Sequence, residues 1–185
     1  MLKSIFIGYD SKESIAWHVL AHSIMRRTKT PIALTPIGNE VLNQDIWWRP
    51  RGSHDSTEFS NARFLVPYLM GYQGLAAFID CDMLCTVDIE QLFSLYDSDY
   101  AVMVRKHDYQ PTAKTKFLGQ EQSRYSRKNW SSLMLINCAH LACKSLTVEY
   151  VNTAPGLDLH GFKWCDEEYI GDLPSGWNHL VTHAA

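Results

Sequence analysis

Residues 4–36, SIFIGYDSKESIAWHVLAHSIMRRTKTPIALTP, set the architecture of this chain. Ser4–Gly8 (SIFIG) is a nearly continuous apolar run closed by a glycine, the pattern of a strand covered on both faces. Asp10 and Ser11 can cap a helix beginning just beyond them, where Ile15, Val19, Ala21, His22 and Met25 recur at helical spacing. Arg26 and Arg27 then place positive charge at the carbonyl end of that helix. Pro31–Pro36 (PIALTP) reads as a second strand, so the opening third is β-α-β, the unit of a parallel sheet with crossover helices.

The rest of the chain continues this alternation. Trp47–Ser60 shifts to Arg, Pro, Gly, Ser, His and Asp, which predicts a surface loop and the segment most able to move. Ser60–Met70 has helical apolar spacing, with Pro67 required in its first turns or at a kink. Leu75–Ile79 (LAAFI), Tyr100–Val104 and Ser132–Ile136 (SLMLI) are further buried strands, and Asp88–Leu95 is a short helix. Residues 106–129 are polar and carry no decisive period. The expected fold is α/β, an open and mostly parallel sheet flanked by helices, in a single domain over 1–185.

Composition narrows the function. Apolar residues make up 46% and charged residues 20%, the balance of a globular domain. A net charge of -3 gives no broad attraction for nucleic acid or anionic lipid, so any anion must be bound locally. Five cysteines, none in a CxxC pair, signal neither a disulfide framework nor a zinc site and suit a reducing compartment. With no apolar run of membrane-spanning length and no cleavable leader before the first strand, a cytoplasmic location is expected.

In an open α/β sheet, ligands bind beyond the carboxyl ends of the strands. Beyond Ile79 stand Asp80, Cys81 and Asp82, two carboxylates at i and i+2 that can face one hard divalent cation. Beyond Gly8 stand Tyr9 and Asp10, a ring that can stack on a base and an acceptor that can hold it, although Asp10 is equally a helix cap. Arg63, on the helix leading to the DxD strand, can reach a diphosphate or is simply a helix arginine.

Four blocks carry a more specific likeness: Phe6–Ile24, Thr57–Leu69, Phe78–Phe93 and Lys128–Cys138. They resemble a bacterial and phage family of glycosyltransferases related to family 8, the retaining group that includes glycogenin and lipopolysaccharide galactosyltransferases. The resemblance implies a GT-A fold, a UDP-sugar donor, Mn²⁺ or Mg²⁺, and a glycan, lipid-linked or protein acceptor. It implies Gly8, Tyr9, Asp10, Arg63, Asp80 and Cys81 as the nucleotide-binding set. Asp80 and Asp82 correspond to the metal ligands, and with Arg63 they form the catalytic set. On the acceptor and sugar side it points to Ser131, Ser132, Asp166 and Glu167. Homo-oligomerisation is left open.

Two departures bear on these expectations. Trp130-Ser131-Ser132 stands where better-known members have Asn-Ala-Gly, which leaves the sugar open. The family's closing segment, with a metal-binding histidine and a glycine and lysine over the diphosphate, has no counterpart here, so a shortened form is expected, with His179 and His183 as ordinary histidines. The expected activity is transfer of a hexose from a UDP-sugar to an acceptor hydroxyl, with retention. A nucleotidyltransferase is the nearest enzymatic rival, but Tyr9–Ser14 has no Gly-rich phosphate loop. The rival from another class is a non-catalytic nucleotide-sugar or glycan-binding module.

Overall fold

The computed structural model describes residues 2–52, 55–107 and 127–181. In chain order the elements are Lys3–Gly8 (β1), Ser14–Met25 (α1), Ile32–Ile37 (β2), Val66–Leu69 (α2), Leu75–Ile79 (β3), Glu90–Phe93 (α3), Val102–Val104 (β4), Leu133–Asn137 (β5), Val148–Thr153 (α4), Gly156–His160 (α5) and Ile170–Asp172 (β6). Tight 3-10 turns over Ser11–Glu13 and Ala62–Leu65 lead into α1 and α2, and Pro67 sits at the start of α2, where its missing N–H is harmless.

The strands form one sheet in the order β2-β1-β3-β5-β4-β6. β1 is parallel to β2 and β3, and β4 is parallel to β6. β5 runs against both β3 and β4, so it alone is reversed. The sheet is therefore mostly parallel, as expected, and the reversed strand brings the start of β5 to the same edge as the carboxyl ends of the other five.

Burial explains why the apolar runs became strands. Ile5, Phe6 and Ile7 of β1, Ala76–Ile79 of β3 and Leu133–Ile136 of β5 are all buried, as strands covered on both faces must be. Fully removing a side chain such as Phe78 from water contributes about 1.5–3 kcal/mol. α1 lies where the spacing predicts it, yet its inward side is Leu20, Ala21 and Ile24. Ile15, Val19, His22 and Met25 face outward and are exposed.

The 47–60 segment is more firmly held than its composition suggests. Trp47, Glu58, Phe59 and Ser60 are buried. The Asn152 side chain on α4 accepts from the Trp48 and Arg49 amides at 2.9 and 2.8 Å and donates to the Ile46 and Val148 carbonyls at 2.9 and 2.8 Å. Arg49 Nη1 adds bonds to the Val151 and Ala154 carbonyls at 3.0 and 2.6 Å. Residues 53 and 54 of this loop, and 108–126 of the polar segment, lie outside the described residues.

Phe59 closes over the end of β1, where a methyl group on Gly8 would stand 2.5 Å from its ring. Gly8→Ala is therefore expected to lower stability by about 1–3 kcal/mol in urea titration. Adding Phe59→Leu should recover part of that loss; strict additivity of the two changes would show that the ring is not the obstacle.

Candidate functional site

The site forms along the edge where β1, β2 and β3 end and β5 begins. β1 continues one residue past its end, since the Tyr9 amide donates to the Ile37 carbonyl at 2.8 Å. A Cβ on Gly38 would approach the Tyr9 carbonyl to 2.3 Å, so the two strand exits pack as closely as glycine allows. Tyr9 is half-buried at this edge.

Asp10 is buried, and both its oxygens are engaged. Oδ1 accepts from the Lys12 amide at 3.0 Å, capping the turn into α1, and Oδ2 accepts from the Glu58 amide at 3.1 Å. Glu58 answers in kind: its carboxylate accepts from the Ser11 amide at 3.1 Å and the Ser11 hydroxyl at 2.7 Å. This reciprocal clasp ties the 57–61 segment to the exit of β1. Asp10 thus caps the turn into α1, and Glu58 is a component that sequence reasoning missed. Its partners lie 47 and 48 residues away, and no local pattern marks it.

Arg63 is only 5% exposed. Its Nε donates to the Ser60 carbonyl at 2.9 Å and its Nη1 to the Ser131 carbonyl at 2.8 Å. The guanidinium lies over the Phe78 and Phe59 rings, 4.8 and 5.3 Å from their centroids. The same Nη1 stands 2.8 Å from Asp80 Oδ1. Buried Oδ1 nonetheless has no donor aimed at it with hydrogen-bond geometry, so the contact is an ion pair that leaves acceptor capacity unused. Arg63 is therefore committed to Asp80 and to the backbone around it.

Asp80 and Asp82 differ in environment. The Asp80 amide extends the β3–β5 ladder by donating to the Ser132 carbonyl at 2.9 Å, and its carboxylate is held inward; Asp82 is exposed. Burial pushes the Asp80 carboxyl up from 3.8 to about 6, against the pull of Arg63 and with a further push from Asp82. Between them the Cys81 side chain turns into the core, where burial and the surrounding carboxylates push its thiol up to about 12. Glu13 is a second component not singled out from the sequence. Its carboxyl is raised by burial, then by Asp10 and by Asp82, and its Oε2 lies 4.0 Å from Cys81 Sγ.

Two carboxylates offering hard oxygen donors suit Mn²⁺ or Mg²⁺, and the unsatisfied Asp80 Oδ1 fits that use. Among the described residues, no group of three His, Cys, Asp or Glu gathers into a ready cage. His179 is exposed, and His183 lies outside the described residues.

The remaining expected residues fall into two groups. Ser131 is buried beneath the site, with its carbonyl on Arg63 and its hydroxyl 2.8 Å from His160 Nδ1; Ser132 is half-buried beside Asp80. Asp166 and Glu167 stand exposed before β6, and Glu167 pairs with Lys106 at 3.4 Å and with Arg127. Lys106 and Arg127 also lie over the Trp130 ring, which occupies an aromatic that could otherwise platform a sugar. The acidic pair is thus three strands from β3 in the sheet order.

No protein-family model matches this chain. Protein CDI of Arabidopsis thaliana is 47% identical over 180 residues, which cover 97% of this chain and 70% of that protein. Among solved structures, the glycosyltransferase GlyE of Streptococcus pneumoniae TIGR4 superposes with a TM-score of 0.58 at 12% identity, covering 95% of this chain. The galactosyltransferase LgtC, solved with donor and acceptor sugar analogues, gives 0.61 at 14% identity, with 93% of this chain and 73% of LgtC covered. Mouse xyloside xylosyltransferase 1 gives 0.54 at 13%, with 96% and 87% covered. The fold is that of the GT-A glycosyltransferases. This chain spans 46% of GlyE, less than half of its length.

Replacing Arg63 by Met keeps much of its volume and leaves Asp80 buried without its counter-charge. The expected loss is about 3–5 kcal/mol of stability. Because the native Asp80 already holds its proton more tightly than the unfolded chain does, this group's contribution falls as pH rises from 3.8 through about 6. Urea midpoints without added divalent cation should therefore show a larger deficit for Arg63→Met above that range than below it. An equal deficit on both sides would mean the pair does not govern Asp80.

Proposed function

This chain belongs to the family of the Arabidopsis thaliana Protein CDI, and from that and its glycosyltransferase fold we propose that it transfers a hexose from a nucleoside diphosphate sugar, with UDP as the nucleotide, to an acceptor hydroxyl. The observation that carries this reading is the pair Asp80 and Asp82 at the exit of an inner strand, on the edge where such sheets bind ligands. Family 8-like membership, inferred from the four sequence blocks, supports UDP and retention.

The residues divide the work. Asp80 and Asp82 would hold a divalent cation, Mn²⁺ or Mg²⁺, whose chemistry is to neutralise diphosphate oxygens as the group departs. Asp82, exposed, meets the ligand; Asp80, locked by Arg63, fixes where that meeting occurs. Arg63 acts as a positioning residue. Tyr9 offers its ring to the base, while the Asp10–Glu58 clasp holds the backbone beside it. Retention is assigned to front-face attack: the acceptor oxygen bonds to the anomeric carbon, the bond from that carbon to phosphate breaks, and the hydroxyl proton passes to the leaving phosphate.

A second reading, a non-catalytic nucleotide-sugar or glycan-binding module, draws on one observation, the lack of a third clustered ligand among the described residues. Release of UDP from UDP-hexoses in the presence of Mn²⁺ separates the two, since a module binds without turnover. Asp82→Asn is expected to abolish Mn²⁺-dependent UDP binding in calorimetry; an unchanged affinity would remove Asp82 from the role given to it.

A further inference from the structure

α1 has two apolar sides. One, through Leu20, Ala21 and Ile24, packs on the sheet. The other carries Ile15 and Val19, 77% and 51% exposed, and beside them Leu84, 60% exposed, projects from the loop after Asp82. Together with His18, His22 and Arg26 these residues line an open groove of about 400 Å³. Met25, 55% exposed, extends the apolar rim at the helix end.

The charge on α1 and on the turn that follows it has one sign. From Ser14 to Asn39 the chain contains no aspartate or glutamate, while Arg26, Arg27 and Lys29 follow the apolar stripe and Lys12 precedes it. Glu13 and Asp82 stand two residues before Ile15 and Leu84, on the side of the candidate site, while the carboxylates near the basic end have partners of their own. Glu90 pairs with Lys3 at 3.3 Å and accepts from Thr30, and Asp88 accepts from the Glu90 amide at the start of α3. In a chain of net charge -3, this basic cluster at the end of an exposed apolar stripe is a local exception.

We propose that this face docks the protein peripherally on an anionic lipid bilayer. Protruding aliphatic tips enter the boundary between headgroups and acyl chains, and the arginines and lysines around them meet lipid phosphates. A second copy is the competing occupant, which self-association would reveal. Attachment would be at the surface, since among the described residues no helix is long and apolar enough to cross a membrane.

One consequence rests on the transfer reading above. Leu84 lies two residues beyond Asp82, so docking here would set the edge holding the diphosphate beside the lipid surface. The acceptor class that fits is then a lipid-linked hydroxyl.

Flotation with vesicles of phosphatidylcholine, with and without phosphatidylserine, tests the docking. Binding is expected only with phosphatidylserine and should weaken with salt. Arg26→Gln and Lys29→Gln should each lower vesicle affinity about fivefold. Ile15→Ser with Val19→Ser should abolish it, whereas Leu141→Ser, at an equally exposed leucine elsewhere, should have no effect. Circular dichroism would verify that each variant is folded. Absence of binding, or binding indifferent to the Ile15 and Val19 changes, overturns the proposal. So does self-association in sedimentation that those same changes abolish, which would identify a second copy as the occupant. UDP binding measured without vesicles keeps the two proposals apart: vesicle binding without UDP binding defeats transfer alone, and the reverse defeats docking alone.

Discussion

The contact between Arg63 and Asp80 organises this molecule. Two opposite charges enclosed together give up hydration that their attraction only partly restores, and they persist because each is also fastened elsewhere. Arg63 reaches the Ser60 carbonyl on one side and the Ser131 carbonyl on the other, while Asp80 is fixed by its own amide to Ser132. The pair therefore joins three stretches of chain distant in sequence: the turn before α2, the exit of β3 and the approach to β5. His160 on α5 braces this assembly through the Ser131 hydroxyl.

The reversal of β5 makes this junction geometrically available. Were all six strands parallel, the residues before β5 would lie at the far edge of the sheet, and Ser131 could not stand under Asp80. Because β5 is antiparallel to β3, its approach joins the edge where β1, β2 and β3 end. That edge is rich in carboxylates. Asp10 and Glu58 are answered by amides and a hydroxyl, whereas Asp82 stands exposed, and the Glu13 carboxyl is raised first by burial and then by Asp10 and Asp82. A diphosphate approaching such a surface would need a positive charge between, which is the electrostatic logic of the cation proposed for Asp80 and Asp82.

How much of this was legible in the amino acids depends on the range of the interaction that decides each feature. Fully buried strands are written locally, and LAAFI and SLMLI read correctly because both faces of each are covered. The direction of β5 is not written in its apolar run. β6, only Ile170–Asp172, exists because β4 offers it a partner and not because Ile-Gly-Asp favours a strand. The helical spacing of α1 located the helix but not which of its two apolar sides the sheet would take. In the site, Asp80 and Asp82 were visible from their place after an apolar run. Glu58, Glu13 and the Ser131–His160 brace depend on chain crossings, which no window of sequence contains.

The four hydrogen bonds of Asn152 have a consequence for how substitutions would distribute along this chain. An amide is the one side chain that offers an oxygen to two adjacent N–H groups and a nitrogen to two carbonyls at the same point. Aspartate would supply the first half and repel the second, and leucine would supply neither. A survey of tolerated residues would thus mark position 152 as sharply as a chemical centre, although its whole task is to keep one loop seated against one short helix.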